Sequence, residues 1–178
     1  MTKRKNVDDV TSNIPGSDGQ SRKYGMSTLA VHAGARPDPV TGARGTPIYQ
    51  TTSFVFDDAE HGAELFNLQT FGYVYSRMTN PTVSVFEERV AQLEGGRGAV
   101  ATSSGHAAQF IAAATLMEAG DEFIASRNLY GGSVTQFGVS FPKLGWKCNF
   151  VDPTDPANFE KAMNDKVKFI FCEGVANP

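Results

Sequence analysis

From Gly98 onward, short apolar runs alternate with stretches that favour helix, and this alternation constrains the fold more than any other feature. Strands are predicted at 98–102, 122–126, 146–151 and 167–172, and helices at 106–117, 131–141 and 156–164. Strands and helices that alternate at this spacing form a parallel sheet with right-handed crossovers and helices on both faces. The predicted class is therefore α/β with a mainly parallel sheet.

The sequence before Gly98 has a different character. Residues 1–25 are rich in Ser, Asn, Gly, Asp and Lys, which is typical of a flexible tail. A short helical turn is predicted at 27–32, an extended segment at 47–56 and a helix at 57–66. Asn80-Pro81 begins a further helix that Gly95-Gly96 ends. Four apolar residues recur on that helix at helical spacing and give one apolar stripe, which predicts a structural helix: Val83, Phe86, Val90 and Leu93.

Composition excludes several classes of function. The chain is 40% hydrophobic and 20% charged, as in ordinary globular proteins, and its net charge of -3 gives no indication of nucleic-acid binding. No apolar run approaches the ~20 residues of a membrane span, and no secretory signal follows the basic residues 3–5. We therefore expect a cytoplasmic protein without a membrane partner. Cys148 and Cys172 are predicted to be buried free thiols, and the spacing of the three histidines predicts no metal site.

The stretch Gly98–Gln109 predicts a place where an anion binds. A strand, a turn of small residues and an alanine-rich helix follow one another there, so backbone N–H groups and the positive end of a helix dipole converge. Ser103 and Ser104 add hydroxyl donors, and Gly105 allows an oxyanion to approach the backbone. A tight turn with a serine N-cap and no ligand explains the same residues.

Polar and aromatic residues follow two other predicted strands at the same edge of the sheet, where such sheets bind ligands. Tyr130 precedes Gly131-Gly132, and Glu173 and Asn177 follow the last strand. A flat phosphorylated ring fits this set, with its phosphate at the helix start, its ring on Tyr130 and a ring substituent bonded to Asn177. A mononucleotide site is the rival interpretation, and packing or turn roles remain open for each residue. Neither a GxGxxG nor a GxxxxGK[ST] motif is present.

Six motifs in order resemble one family. They are PIYQTTSF (47–54), YSRMTNPT (75–82), LEGG (93–96), ATSSGHAA (101–108), NLYGGS (128–133) and CEGVANP (172–178). From about Ser27 to Pro178 the chain resembles the Cys/Met-metabolism pyridoxal-phosphate enzymes of fold type I. That resemblance implies a flexible tail (1–26), an arm that reaches a neighbouring subunit's site (27–79) and part of a pyridoxal-phosphate-binding large domain (80–178).

The resemblance also implies roles for individual residues. Tyr75 and Arg77 match a pair that binds the cofactor phosphate of the neighbouring subunit, and Tyr75 is also expected to assist the leaving group. The phosphate turn of the chain's own subunit is matched by Ser104, Gly105 and His106, although many members have Met where His106 stands. Three further residues match positions around the ring: Tyr130 stacks on it, Asn177 lies near its phenolic oxygen, and Glu173 lies beside it without an assigned role. Tyr75 and Tyr130 are the predicted catalytic residues.

Within the family, the stretch GARPDPVTGARGTPIYQTT together with FNLQTFGYVYSRMTNPT is most similar to O-acetylhomoserine sulfhydrylases. The implied reaction converts O-acetyl-L-homoserine and sulfide to homocysteine and acetate in methionine biosynthesis, in a homo-oligomer. Methionine γ-lyases tend to carry Cys where Gly132 stands. A γ-lyase, a cystathionine γ-synthase and a non-catalytic chain acting only in subunit association remain alternatives.

The resemblance implies a catalytic lysine that these residues do not provide. None of the eight lysines is placed to form the Schiff base with the cofactor. In relatives the lysine that does so lies in a later segment. The sequence is therefore interpreted as an N-terminal fragment that is inactive alone.

Overall fold

The computed structural model describes residues 13–15 and 21–175. The chain divides into two compact units, Met1–Ala101 and Thr102–Pro178. The domain boundaries expected after residues 26 and 79 stay predictions.

In the described part of the first unit, two short strands and three helices are present. Strands β1 (Asn13–Pro15) and β2 (Ser21–Lys23) pair antiparallel inside the stretch predicted as a tail. Helices α1 (Met26–His32), α2 (Ala59–Phe66) and α3 (Pro81–Glu94) follow, and α1 packs against α3. The Asn80 side chain accepts from the Thr82 N–H at 2.9 Å, and Gly95 closes the helix with a left-handed φ of 65°. Both helix ends confirm the sequence prediction.

The segment 47–56, predicted as extended, makes one isolated antiparallel bridge, between Ser53 and Tyr75, and no strand within the described residues. The predicted apolar stripe on α3 is only partly covered, because Val83 and Phe86 are 41% and 59% exposed. A periodic pattern shows that one face is apolar, but burial also needs a surface that covers this face.

The second unit is a parallel three-stranded sheet with helices. Its elements are α4 (Gly105–Leu116), β3 (Glu122–Ser126), α5 (Gly131–Thr135), β4 (Lys147–Val151), α6 (Ala157–Ala162) and β5 (Val167–Phe171). The strand order is β4-β3-β5, and β3 pairs in parallel with both neighbours. The predicted α/β class with a parallel sheet is confirmed. The carboxyl ends of the three strands consequently lie at one edge.

Two predicted elements of the α/β region differ in the structure. The helix expected at 131–141 is α5 followed by a π-helical turn, Gln136–Ser140, and a 3₁₀ turn, Phe141–Leu144. Gly138 lowers helix propensity at that point, and Pro142 has no N–H to continue an α-helix. The strand expected at 98–102 is unpaired in the part of the chain that the structure describes. A β-strand is defined by backbone hydrogen bonds to a neighbouring strand. Here the Ala101 N–H instead donates to a Glu87 carboxylate oxygen at 2.7 Å.

An aromatic cluster under one face of the sheet forms the core. Phe123 is fully buried, and its ring lies 5.1 Å from Phe137 and 4.8 Å from Phe169 between centroids. Trp146 is buried as predicted, whereas Phe150 is 36% exposed, which corrects the prediction that it belongs to the core. Ile124 alternates to the opposite face and is also fully buried.

Both cysteines are free, but they differ in exposure. Cys148 is half-buried, and burial raises its pKa to about 12. Cys172 is exposed, so the prediction of a buried thiol was wrong at this position. It follows the last residue of β5, where the apolar run ends at the edge of the sheet. None of the helices described is long and apolar enough to cross a membrane.

Candidate functional site

The start of α4 presents two backbone donors for which the described residues hold no acceptor. Ser104 caps the helix: its Oγ accepts from the Ala107 N–H at 3.1 Å, and its carbonyl accepts from the Ala108 N–H at 3.0 Å. Among the described residues nothing accepts from the N–H groups of Gly105 and His106. Space around Gly105 is open, since an added Cβ would meet no atom within 4 Å. Two free donors on a helix of this length can hold an oxyanion.

Tyr130 lies beside this turn, directly before α5. Its backbone N–H donates to both carboxylate oxygens of Glu173, at 3.1 and 3.2 Å. Its ring stacks on the His106 imidazole, with centroids 5.6 Å apart and planes inclined by 27°. The Tyr130 side chain is nevertheless half exposed, at 49%. The structure thus brings together Tyr130, Glu173 and the 104–106 turn, while Asn177 lies outside the described residues.

Gly132 lies closely against the rings of His106 and Tyr130. A Cβ added there would lie 2.6 Å from both His106 Cε1 and Tyr130 Cε1, so no larger residue fits without movement. The His106 Nε2 is buried and has no partner in the described structure. The sequence showed a Gly-Gly pair typical of a turn, but the contact with His106 comes from a distant segment and left no local signal.

Two glutamines tie α4 to the residues after β3. The Gln109 Nε2 donates to the Ser133 Oγ at 3.0 Å, and Ser133 is 1% exposed. The Gln136 Nε2 donates to the His106 carbonyl at 3.0 Å. These bonds fix the helix start relative to the segment that carries Tyr130. Sequence reasoning missed all three residues; a polar residue among the alanines of α4 is the only signal that could have identified Gln109.

In the first unit, Tyr75 and Arg77 lie on a loop with a well-defined backbone. The Phe54 N–H donates to the Val74 carbonyl at 3.2 Å, and the Ser76 N–H donates to the Thr52 carbonyl at 2.9 Å. The Arg77 guanidinium lies 5.4 Å from the centre of the Tyr75 ring, and both side chains are exposed.

Asn80 holds the end of this loop. It is buried, and its Nδ2 donates to the Tyr49 carbonyl and to the Ser76 Oγ, both at 3.0 Å. One side chain therefore caps α3 and fixes the loop, which leaves the Arg77 guanidinium presented to solvent.

Comparison with known proteins decides the family. The model of the Cys/Met metabolism PLP-dependent enzymes matches residues 27–178. The chain belongs to this family. The prediction from the six motifs is confirmed, with the same starting residue.

The names of similar curated proteins agree with this family. The chain is 49% identical over 164 residues to O-acetyl-L-homoserine sulfhydrylase of Leptospira meyeri, covering 92% of the chain and 37% of the relative. It is 48% identical over 153 residues to homocysteine synthase of Schizosaccharomyces pombe, covering 86% and 36%. The chain therefore spans just over a third of the length of these relatives.

A solved structure shows the same fold. A putative O-acetylhomoserine (thiol)-lyase from Campylobacter jejuni, which carries a pyridoxyl-lysine monophosphate, matches with a TM-score of 0.83 at 35% identity. The match covers 88% of this chain and 38% of that one. The α/β fold of this chain is thus that of part of a fold-type I pyridoxal-phosphate enzyme.

Proposed function

We propose that the complete protein catalyses a γ-replacement in which O-acetyl-L-homoserine and sulfide give L-homocysteine and acetate. The observation that carries this proposal is the pair of free N–H donors at the start of α4 beside the half-exposed Tyr130. Membership of a family of PLP-dependent enzymes supports the cofactor, and the names of the matched relatives support the substrates. Such an enzyme works in the cytoplasm.

The described residues fit pyridoxal phosphate. Its phosphate would accept from the N–H groups of Gly105 and His106, for which the described part of the chain offers no acceptor. The Ser104 hydroxyl can donate its proton there as well, because its oxygen accepts from Ala107. The open face of Tyr130 offers a flat surface to the ring, and Asn177 is proposed to bond its phenolic oxygen. When bound, the cofactor supplies the electron sink for the substrate's carbanion chemistry.

Tyr75 and Arg77 are proposed to act on the site of a neighbouring copy. The exposed Arg77 guanidinium suits a phosphate, which it can bind through two parallel N–H donors. The Tyr75 hydroxyl would donate a hydrogen bond to the leaving acetate oxygen. This arrangement requires a homo-oligomer, because each site then draws residues from two copies.

The test is an assay of the complete protein with O-acetyl-L-homoserine and sulfide, following homocysteine and acetate. Sulfide-dependent homocysteine is the expected product. Formation of 2-oxobutyrate and ammonia without sulfide, or of cystathionine from cysteine, would replace the proposal with a lyase or a synthase. Failure to form any of these products would overturn the enzymatic proposal altogether.

The contribution of Arg77 is tested by a matched pair of variants. Arg77→Lys keeps the charge but loses the planar fork, so we expect weaker cofactor binding. Arg97→Lys makes the same exchange at an exposed position of the same unit and is the control. Equal cofactor affinity in both variants would contradict the phosphate role.

A further inference from the structure

Glu173 makes an unusual contact for a carboxylate at the edge of a sheet. Both of its oxygens accept from one backbone N–H, that of Tyr130, at 3.1 and 3.2 Å. Tyr130 has no side-chain cap of its own. The Tyr130 carbonyl accepts from the N–H groups of Ser133 and Val134, and the Glu173 carboxylate is the group that holds its N–H.

The contact also joins the ends of two neighbouring strands. Glu173 comes two residues after β5, and Tyr130 comes four residues after β3, its paired neighbour. Loops at strand ends are free to move unless something connects them. A hydrogen bond to a charged group is roughly twice as strong as one between neutral groups, so this connection is a firm one.

The Tyr130 ring is confined on one side as well. The His106 imidazole stacks on it at 5.6 Å, and Gly132 leaves room for both rings, since a Cβ added there would lie 2.6 Å from each. With one face covered and the ring still 49% exposed, a flat ligand has the opposite face. Backbone and ring are thus held by different groups.

We propose that Glu173 is a positioning residue: its carboxylate holds the Tyr130 backbone N–H so that the ring, covered on one face by His106, presents its other face to the cofactor. This rests on the proposed function only in that pyridoxal phosphate is the ligand. Glu173 touches neither substrate nor reacting atoms and acts through Tyr130.

The test uses the complete protein with Glu173→Ala and Glu173→Gln. Glu160→Gln, at an exposed position on α6, is the matched control. The first measurement is amide hydrogen exchange of the segment around Tyr130 in the cofactor-free protein. Loss of a bond to a charged acceptor is expected to speed exchange there by about tenfold to 100-fold in Glu173→Ala. Glu173→Gln keeps a neutral acceptor and is expected to lie between Glu173→Ala and the wild type.

The second measurement is the visible circular dichroism and the affinity of added pyridoxal phosphate. Glu173→Ala is expected to lower both, with partial recovery in Glu173→Gln and no change in Glu160→Gln. Unchanged exchange in both Glu173 variants would show that the bond is absent and overturn the inference. Faster exchange with unchanged dichroism and affinity would show a bond that positions nothing, which also overturns it.

These results are separate from the fate of the proposed function. A wild-type protein that binds pyridoxal phosphate but releases 2-oxobutyrate contradicts the γ-replacement, yet the comparison of variants still decides the role of Glu173. A wild-type protein that binds no pyridoxal phosphate overturns both. If Glu173→Ala does not fold, Glu173→Gln carries the test, because it preserves size and one acceptor.

Discussion

The two edges of the same sheet are built in opposite ways. At the amino edge, the Glu122 carboxylate accepts from the Asn149 Nδ2 at 2.7 Å, from the Asn164 Nδ2 at 3.2 Å and from the Lys147 Nζ at 3.2 Å. At the carboxyl edge, two helix donors have no acceptor among the described residues and an aromatic ring is half exposed. The Glu122 carboxylate thus finds its donors within the chain, whereas the donors at the start of α4 find no acceptor in the described part of it.

The difference also appears in the hydrogen bonds that the two carboxylates accept. Hydrogen bonds from Asn149 and Asn164, with a smaller contribution from Lys147, lower the pKa of Glu122 from 4.5 to about 2. Among the described residues, Glu173 accepts from one backbone N–H instead, that of Tyr130. Glu122 thus joins side chains at the start of the sheet, whereas Glu173 joins two loops at its end.

The core beneath both edges carries the largest expected effect. Phe123→Ala removes a fully buried ring that packs against Phe137 and Phe169, and we expect it to lower the free energy of unfolding by about 3–5 kcal/mol. Urea denaturation measures this. Phe150→Ala, at a partly exposed ring of β4, is the control and should lose much less. Equal losses would show that the cluster is not the core.

The carboxyl edge can be disturbed alone through Gly132. Gly132→Ala places a Cβ 2.6 Å from His106 Cε1 and should cost about 1–3 kcal/mol of unfolding free energy and weaken cofactor binding. Gly131→Ala, where an added Cβ meets nothing within 4 Å, is the control. Adding His106→Ala to Gly132→Ala should recover part of the loss. If Gly131→Ala and Gly132→Ala behave alike in denaturation and cofactor titration, the close approach does not exist.

The amino edge can be disturbed through pH. Because the pKa of Glu122 is depressed in the folded protein, its ionised form adds stability above pH 4.5, and this contribution fades as pH falls from 4.5 to about 2. The wild type should therefore exceed Glu122→Gln in unfolding free energy at neutral pH, and the gap should close in acid. Asp165→Asn, at an exposed position, provides the baseline. A gap that is independent of pH over this range would refute the explanation.

The smallest expected effect is that of the ion pair between Asp121 and Lys168, which also lies at the amino edge. The Lys168 Nζ is 3.4 Å from the Asp121 Oδ1. Lys168 is partly exposed, so Lys168→Met should lower the unfolding free energy by only about 0.2–1 kcal/mol. High salt should erase most of the difference in urea denaturation. A loss as large as that of Gly132→Ala would mean that this pair is no ordinary surface ion pair.

The sequence predicted what local patterns determine. β3 was placed at its observed residues, and the Asn80 and Ser104 side chains cap their helices by accepting from backbone N–H groups only two or three residues away. It failed where a distant surface decides, as for Phe150, predicted in the core but 36% exposed, and for the unpaired residues 98–102.

The candidate site shows the same limit. Tyr130 and the 104–106 turn could be selected because parallel strands end at one edge. The bond from Tyr130 to Glu173 spans 43 residues, and the contact of His106 with Gly132 spans two helices. Neither contact leaves a periodic signal in the sequence. Only the folded chain could therefore show that Glu173 bonds Tyr130 and that His106 lies against Gly132.

A crystal structure of the complete protein with pyridoxal phosphate tests most directly whether the carboxyl edge is the cofactor site. We predict that the phosphate accepts hydrogen bonds from the N–H groups of Gly105 and His106, and that the ring lies on the face of Tyr130 opposite His106. A phosphate bound away from the start of α4, or a ring that does not touch Tyr130, would contradict the division of the sheet into a structural and a ligand-binding edge.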